Sequence, residues 1–482
     1  MMLKKALALL LTVTTLLPLA ACTVSKSEPV PETEKGVSTN LETPFYQTEK
    51  IHGNPSEIGA SSAAGETLPN VFINVADKKE IVSKDYYLKA TVTVDGCAQS
   101  FVINDVNAEV RKRGNGTIYQ EKGSIHVKFE EKYNLFGQAS GYGRSWVLVA
   151  NSFDASLLRS HAVYTMAHTL ENISWATSSS FVHLYVNGNY RGVYQLVENH
   201  NDSDGRIEIN EDPNVVDTDY IIELDAYVEN DTDKKQGVDW FGCGSFKYSD
   251  TTGKGVKINK YAIRSDYNSK ARCEFLENYF KAADDAIMIG DFEEVSKYID
   301  LASFVDMYIL QELSCNPDVG WSSFYMVKKA GDKIYFTCPW DFDLSFGNHP
   351  TTNNGSYKNL FAGNGKSVEH KSNSWYFNLF KRKWFVDMVA KRWNEVAMGM
   401  RDTALDEINR IYGDFRSEFL KNYTVWDVPT KSYSADFNPT MTQDTFDEHV
   451  AFLKLYLCSR YDWLDNYFNS NQKYEQLAKG EM

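Results

Sequence analysis

The first half of the chain has a hydrophobic pattern of period two. From Leu68 onward, apolar residues recur at every second position in short runs such as "NVFINV" and "SIHVKF". This period is typical of strands with one buried face. Asn187-Gly188 stands between two further alternating runs and is the strongest short-range signal for a hairpin. The pattern therefore predicts a β-rich region in this part of the chain.

Helical spacing of apolar residues appears between and after these runs. The segment "DASLLRSHAVYTMAHTL" predicts a helix over 154–170 with Asp154 as its N-cap, and "DLASFVDMYILQELS" predicts a second helix capped by Asp300. A polar stretch from about Asn199 to Gly255 contains one more strand, "YIIELDAY". Beyond Trp375 the spacing is helical to the end. Together the segments predict an α+β chain with a β-rich lobe followed by a helical lobe.

The stretch "CPWDFDLSFGN", Cys338–Asn348, places two carboxylates among aromatic residues. It follows the apolar run "IYFT", so we expect a strand that delivers Asp341. Alternation along a strand would point Asp341 and Asp343 to the same side. Buried like charges are costly unless a cation, a partner or a substrate lies between them. The stretch therefore predicts a ligand site.

The N-terminus predicts export and lipid anchoring. The segment "MMLKKALALLLTVTTLLPLAAC" has two lysines, an apolar run and small residues before Cys22, which is typical of a secretory signal. Its end resembles a bacterial lipobox, which implies cleavage before Cys22, a lipid on its sulfur, and an extracytoplasmic place on the bacterial envelope. An ordinary signal peptide with an incidental cysteine is the alternative. We expect a signal peptide over 1–21, a flexible tether over 22–66, a β-rich lobe over 67–198, and an insertion with a helical lobe over 199–482.

Composition excludes several classes of function. The chain has 482 residues and a net charge of −15, which argues against a nucleic-acid partner. It has no HExxH, GxSxG or Rossmann glycine motif, and its cysteines form no CxxC pair, so a zinc site is not expected. Its 14% aromatic content suits a large core and also a polysaccharide binder. A non-catalytic binding module and a glycoside hydrolase using Asp318 with Asp341 or Asp343 are therefore alternatives to be weighed.

The order of the polar motifs favours a kinase-like site. Such a site needs a glycine turn over phosphates, a strand lysine, a helix, a hinge, a catalytic Asp and a metal-binding Asp. Motifs of these types occur here in that order: Gly114 and Gly116, Lys122 and Lys128, the helix over 154–170, strands running into "LVENH", a helix, Asp318 and Asp341. The spacing from Asp318 to Ser323 also matches the Asp-x-x-x-x-Asn of protein kinases, with Ser in place of Asn.

Five blocks of sequence resemble the CotH kinase-like proteins, a family named for a spore coat protein. The blocks are "VRKRGNGT", "SWVLVANSFDASLLRSHAVYTMA", "VHLYVNGNYRGVYQLVENHND", "YIIELDAY" and "SCNPDVGWSSFYMVKKAGDKIYFTCPWDFDLSFGN". They cover roughly Leu68 to Trp393. The resemblance implies an atypical protein-kinase-like two-lobe fold. It also implies transfer of the γ-phosphate of ATP to Ser or Thr of a protein, with Mg²⁺ or Mn²⁺.

The resemblance also implies roles for individual residues. Asp318 is similar in position to the catalytic Asp, and Asp341 to the metal-binding Asp. Asp343 and Ser323 are further candidate metal ligands. The remaining candidates would contact ATP: Gly114 and Gly116 over the phosphates, Lys122 or Lys128 on a phosphate, and Glu198 at the hinge beside adenine. This chain departs from spore coat members at Ser322-Ser323, where they have His-Asn.

Overall fold

The computed structural model describes the chain from residue 67 onward with internal gaps. The described residues are 67–135, 142–200, 206–250, 253–349, 355–363, 374–429, 431–432 and 442–477. The predicted signal sequence, Cys22 and the predicted tether lie outside them. No helix in these ranges is both long and apolar enough to cross a membrane, and no disulfide joins their six cysteines. The chain mixes helices and sheets, so the α+β expectation is confirmed at that level.

Seven strands near the N-terminal end close into a barrel. They are β1 Asn70–Val75, β2 Leu88–Asp95, β3 Ile103–Arg113, β4 Ser124–Tyr133, β5 Gly143–Val149, β6 Ser179–Val186 and β7 Asn189–Glu198. Their order around the barrel is β1-β2-β3-β4-β5-β7-β6. All pairs are antiparallel except β1 with β6, where Val71 lies opposite Leu184 in a parallel register. The Asn187-Gly188 hairpin joins β6 to β7 as predicted, and both residues have positive φ.

The barrel has an apolar interior and one apolar outer side. Alternate residues of its strands, including Val92, Val110 and Leu196, fill the interior. On the outer side of the neighbouring strands, Val147 and Val197 join a larger core with the rest of the chain. Strands with two buried faces have nearly continuous apolar sequences, which is the pattern of "VYQLV" in β7.

The second part of the chain combines a sheet with helices. Its strands are β8 Tyr220–Leu224, β9 Trp240–Asp250, β10 Gly253–Ile263, β11 Phe324–Lys328 and β12 Ile334–Phe336, in the order β12-β11-β8-β10-β9. The helices of the described chain are α1 Arg159–Ala167, α2 Lys270–Ile289, α3 Phe292–Ser296, α4 Leu301–Ser314, α5 Ser374–Leu379, α6 Lys383–Asn422 and α7 Phe446–Phe468. Two-residue strands β13 Lys431–Ser432 and β14 Thr442–Gln443 pair between α6 and α7.

Helix α4 lies at the centre of the second part. All of its residues are buried, and Asp300 caps it by accepting the backbone N–H of Ser303 at 2.8 Å, as predicted. Cys315 ends the helix in the left-handed conformation. Helix α1 begins later than predicted because Leu157 has a φ of 60°. Asp154 nevertheless accepts the N–H of Arg159, the first residue of α1, at 2.9 Å.

Two parts of the kinase-like expectation are wrong. The β-rich lobe is a closed seven-stranded barrel, and the second part contains a five-stranded antiparallel sheet, where the sequence predicts only the strand "YIIELDAY" and a strand leading to Asp341. The molecule is therefore not plainly a two-lobe kinase fold. Barrel closure depends on pairing of β1 with β6 across more than a hundred residues, which local periodicity does not reveal. Strand β9 and the start of β10 lie in the polar stretch over 199–255, for which the sequence predicts only one strand.

Buried histidine–carboxylate pairs join the barrel side to helix α6. His161 of α1 lies 2.9 Å from Glu407, and His183 of β6 lies 2.7 Å from Glu418. Arg410 also donates to Glu407. Burial alone would raise the pKa of Glu407, but hydrogen bonds from Arg410 and His161 outweigh it and lower this pKa to about 2. The charged form of Glu407 is thus the form that the fold stabilises.

The substitution Glu407→Gln should destabilise the protein most at neutral pH. A depressed carboxyl pKa stabilises the fold above the unfolded pKa, and this contribution is lost as the pH falls through the folded value of about 2. We expect a loss of about 2–4 kcal/mol in the free energy of unfolding at pH 7 and a smaller loss near pH 2.5, measured in urea. The exposed neighbour Asp406, changed to Asn, is the control. Equal losses at both pH values for Glu407→Gln would contradict this account.

Candidate functional site

Asp341 lies on a loop, Thr337–Asn348, and not on a strand. Strand β12 ends at Phe336, and Asp341 has a φ of 65°. The predicted alternation is therefore wrong, because it requires extended backbone. Asp341 is exposed, whereas Asp343 is buried and its carbonyl accepts from Asn348 at 2.6 Å. The two carboxylates thus differ in environment.

The loop is fixed to helices α1 and α4. The backbone N–H of Phe342 donates to Ser160 Oγ at 3.2 Å, and that of Phe346 donates to the Ser314 carbonyl at 2.7 Å. Arg159 Nε donates to the Ser345 carbonyl at 3.1 Å. The rings of Phe342 and Phe346 are fully buried. These contacts hold the loop in one position and leave Asp341 open to a ligand.

The carboxylate of Asp341 is accessible but lies among many protein atoms. Burial among these atoms raises its pKa, while Arg113 and a hydrogen bond from Ser323 lower it by less. Ser323 Oγ lies 3.5 Å from Asp341 Oδ2. The ring of Tyr164 in α1 stacks on that of Trp340, the residue before Asp341, with 6.3 Å between the ring centres. A carboxylate that is reachable, yet poorly solvated, is a good position for a cation.

Asp318 lies in the turn that follows α4. Its backbone N–H donates to Asn316 Oδ1 at 3.1 Å, and its carbonyl accepts from Trp321 and Ser322 at 2.8 and 3.1 Å. Its side chain is half-buried. This turn ends at Ser323, the residue that reaches Asp341. The structure therefore joins the loops of both predicted acidic residues at Ser323.

The predicted glycine turn connects β3 to β4. Gly114 has a φ of 105°, and a Cβ there would lie 2.0 Å from Thr117 Oγ1, so only glycine fits. A Cβ on Gly116 would lie 3.7 Å from the ring of Phe153. The Phe153 carbonyl accepts from Asn348, at the end of the Asp341 loop, at 2.9 Å. One residue thus separates the glycine turn from that loop.

The other three predicted residues, Lys122, Lys128 and Glu198, lie in or next to the barrel. Lys122 is buried and donates to the Val193 carbonyl at 2.7 Å, and burial lowers its pKa to about 7, although Asp154 raises it. Lys128 is exposed on β4, opposite Glu109 of β3. Glu198 is buried and accepts the backbone N–H of Ser178 at 3.1 Å. The contacts of Lys122 and Glu198 are therefore with groups in or next to the barrel.

Several residues near Asp341 were not predicted from the sequence. The Arg113 guanidinium lies 5.2 Å from the ring centre of Trp340. The His200 ring lies 4.7 Å from that of Trp340 and 4.5 Å from that of Tyr325. Burial, with Arg113 and Arg264 nearby, lowers the pKa of His200 well below its usual value, so this ring is neutral. Only Arg113, directly before the glycine turn, carried a signal in the sequence.

A second acidic group supports the Asp318 turn. Ser322 Oγ donates to Asp225 Oδ1 at 3.3 Å, and the Arg264 guanidinium bonds both Asp225 and Glu223. Burial raises the pKa of Glu223, although Arg264 opposes this. Strand β8 carries Glu223 and places Asp225 just beyond its end, more than ninety residues before Ser322. Sequence spacing alone could not bring them together.

Asp341 and Ser323 fit the protein ligands of a site that binds Mg²⁺ together with phosphate. Within the described ranges, no three His, Cys, Asp or Glu side chains converge to hold a metal alone. Mg²⁺ usually takes one or two carboxylates and completes its shell with water and substrate phosphates. Asp341 offers an accessible carboxylate, and Ser323 adds a hydroxyl beside it. These are hard oxygen ligands of the required type.

The substitution Asp341→Asn should stabilise the ligand-free protein. Because burial raises the folded-state pKa of Asp341, its charged form costs stability above that pKa, and the cost disappears once the carboxyl is protonated. Asn also tolerates positive φ well. We expect Tm to rise by about 1–3 °C at pH 7, with a smaller rise near pH 3, by calorimetry. Asp105→Asn is the control, since Asp105 is exposed and has a φ of 47°. A fall in Tm for Asp341→Asn would refute the raised pKa of Asp341.

Comparison with known proteins places this site in a family. The sequence profile described as "CotH kinase protein" matches residues 110–464. That range includes the glycine turn, the Asp318 turn and the Asp341 loop. No curated protein matches the chain. Since the profile covers most of the sequence, the chain belongs to the CotH kinase family.

Proposed function

We propose that this chain is a phosphotransferase that moves the γ-phosphate of ATP to a Ser or Thr hydroxyl of a protein. The observation that carries the proposal is the fixed position of Asp341, accessible on its loop and beside Ser323. Phosphoryl transfer needs positioning and charge stabilisation more than covalent help from the protein. A rigid carboxylate next to a glycine turn and a second acidic turn supplies those elements.

In this proposal, Asp318 orients the acceptor hydroxyl and takes its proton. The hydroxyl oxygen forms a bond to the γ-phosphorus while the bond from that phosphorus to the β,γ-bridging oxygen breaks, and ADP leaves. Asp341 and Ser323 would hold Mg²⁺, which when bound neutralises charge on the phosphates. The Gly114–Gly116 turn has no side chain at Gly114 to obstruct a phosphate. Asp343, which is buried, would support the loop.

The substitutions Asp318→Asn and Asp341→Asn should affect different steps. Loss of a general base typically lowers the rate about 10²–10⁴-fold, so Asp318→Asn should reduce kcat and leave Mg²⁺-dependent ATP binding intact. Asp341→Asn should remove the Mg²⁺ dependence of ATP binding as well. Radiolabel transfer from ATP to the protein or to an envelope extract, together with a thermal shift by ATP and Mg²⁺, measures both steps.

Asp105→Asn serves as the control, because Asp105 is exposed on β3. Absence of both ATP binding and label transfer in the wild type would refute the proposal. A thermal shift caused by a polysaccharide, without one caused by ATP and Mg²⁺, would instead support a non-catalytic binding module.

We also propose that the mature protein is held on the outer side of a bacterial membrane by a lipid on Cys22. The support is the sequence "LAAC" after an apolar run. The substitution Cys22→Ala should move the protein from the membrane pellet to the soluble fraction or leave it unprocessed. Incorporation of labelled palmitate into the wild type should be lost in this variant. Palmitate labelling of Cys22→Ala at the wild-type level would contradict the assignment.

A further inference from the structure

Arg113 has an unusual environment for a half-buried arginine. Its guanidinium lies over Trp340 at 5.2 Å from the ring centre, but it makes no hydrogen bond or ion pair with any described residue. Arg111, on the same strand, differs: its guanidinium lies over Tyr87 and donates to the Lys84 carbonyl at 2.8 Å. A guanidinium carries five N–H donors in a rigid fork that suits oxyanions. The donors of Arg113 are available to a ligand.

Arg113 and Asp341 lie close together without forming an ion pair. Arg113 is near enough to lower the pKa of Asp341. It also lowers the pKa values of His200 and His126, after burial, which is the larger cause in both. The Arg113 guanidinium and the Asp341 carboxylate thus lie near each other, and each can still bind a ligand. A metal-bound oxyanion matches this arrangement, because its metal can take the carboxylate while its oxygens take the guanidinium.

The two lysines of the sequence expectation are less suited to this position. Lys122 already donates to the Val193 carbonyl in the interior. Lys128 is exposed opposite Glu109. Arg113 ends β3 directly before the glycine turn and lies beside the residue that precedes Asp341. Arg113 is therefore close to the glycine turn, to the ring of Trp340 and to the Asp341 carboxylate.

We propose that Arg113 and Asp341 form a two-pole site for a metal-bound phosphoryl group, in which Arg113 binds the phosphoryl oxygens bidentately and Asp341 binds the cation. This inference rests on the proposed function for its ligand class. Each of the two charged side chains weakens ion binding at the other when only the metal or only the phosphoryl group is present. Arg113 repels a free cation from Asp341, and Asp341 repels a free anion from Arg113. The intact pair favours the neutralised complex over either ion alone.

This arrangement predicts opposite effects for two ions. In the full-length protein, Arg113→Met should weaken the binding of Mg²⁺–pyrophosphate about 10–100-fold. The same change should strengthen the binding of Mn²⁺ alone a few-fold, because the neighbouring positive charge is gone. Asp341→Asn should abolish Mn²⁺ binding and strengthen metal-free pyrophosphate binding a few-fold. Calorimetry measures pyrophosphate, and electron paramagnetic resonance measures Mn²⁺.

Two further variants complete the test. Arg113→Lys keeps the charge and loses the fork, so its pyrophosphate affinity should lie between wild type and Arg113→Met. Arg144→Met removes an exposed arginine of β5 and should change neither affinity. Unchanged pyrophosphate binding in Arg113→Met, or parallel weakening of both ions, would overturn the proposal. The reciprocal pattern without any label transfer from ATP would support the two-pole site and refute only the phosphotransferase function.

Discussion

The loop that carries Asp341 depends on a balance between backbone strain and anchoring. Cys338, Asp341 and Phe346 all have positive φ, with values of 52°, 65° and 51°. Each such residue costs about 1–2 kcal/mol. Full burial of Phe342 and Phe346 contributes about 1.5–3 kcal/mol for each ring, and hydrogen bonds from α1 and to α4 add to this. Ring burial and these hydrogen bonds together offset the backbone strain, so Asp341 can remain accessible on a fixed loop.

The same anchoring explains why the site lies where the barrel meets the second part of the chain. Helix α1 leaves the barrel after β5 and contacts the Asp341 loop through Ser160 and Tyr164. Strand β3 brings Arg113 to the ring of Trp340. The chain has a net charge of −15, yet the Arg113 guanidinium lies near the carboxylate here and makes no ion pair with a residue that the structure describes. This local reversal of charge is what an anionic ligand with a bound metal requires.

Local signals in the sequence predicted much of the secondary structure but little of its assembly. The Asn187-Gly188 hairpin and the Asp300 cap follow from local chemistry and are present as expected. Barrel closure and the five-stranded sheet depend on pairings between distant segments, which periodicity does not encode. The alternation of aromatic residues with the acids predicts a strand where the structure has the Asp341 loop. Left-handed backbone at Asp341 is imposed by tertiary contacts.

The sequence likewise predicts the local motifs of the candidate site but not the way in which they assemble. The order of the acidic and glycine motifs indicated which segments to bring together, and the loops of Asp318 and Asp341 do meet at Ser323. Sequence spacing does not distinguish an interior lysine from an accessible one, so it does not predict the burial of Lys122. The sequence marks Arg113 only by its place directly before the glycine turn. Its importance emerges only from its place over Trp340 and from the lack of a hydrogen-bond acceptor for it among the described residues.

The most direct test of the account is a crystal structure of the protein with Mn²⁺ and a non-hydrolysable ATP analogue. Anomalous scattering locates the metal independently of the nucleotide. The account predicts one manganese peak on the Asp341 carboxylate, with Ser323 beside it and the analogue's phosphoryl oxygens on the Arg113 guanidinium. A metal bound away from Asp341, or phosphates bound to Lys122 or Lys128 with Arg113 still free, would contradict it.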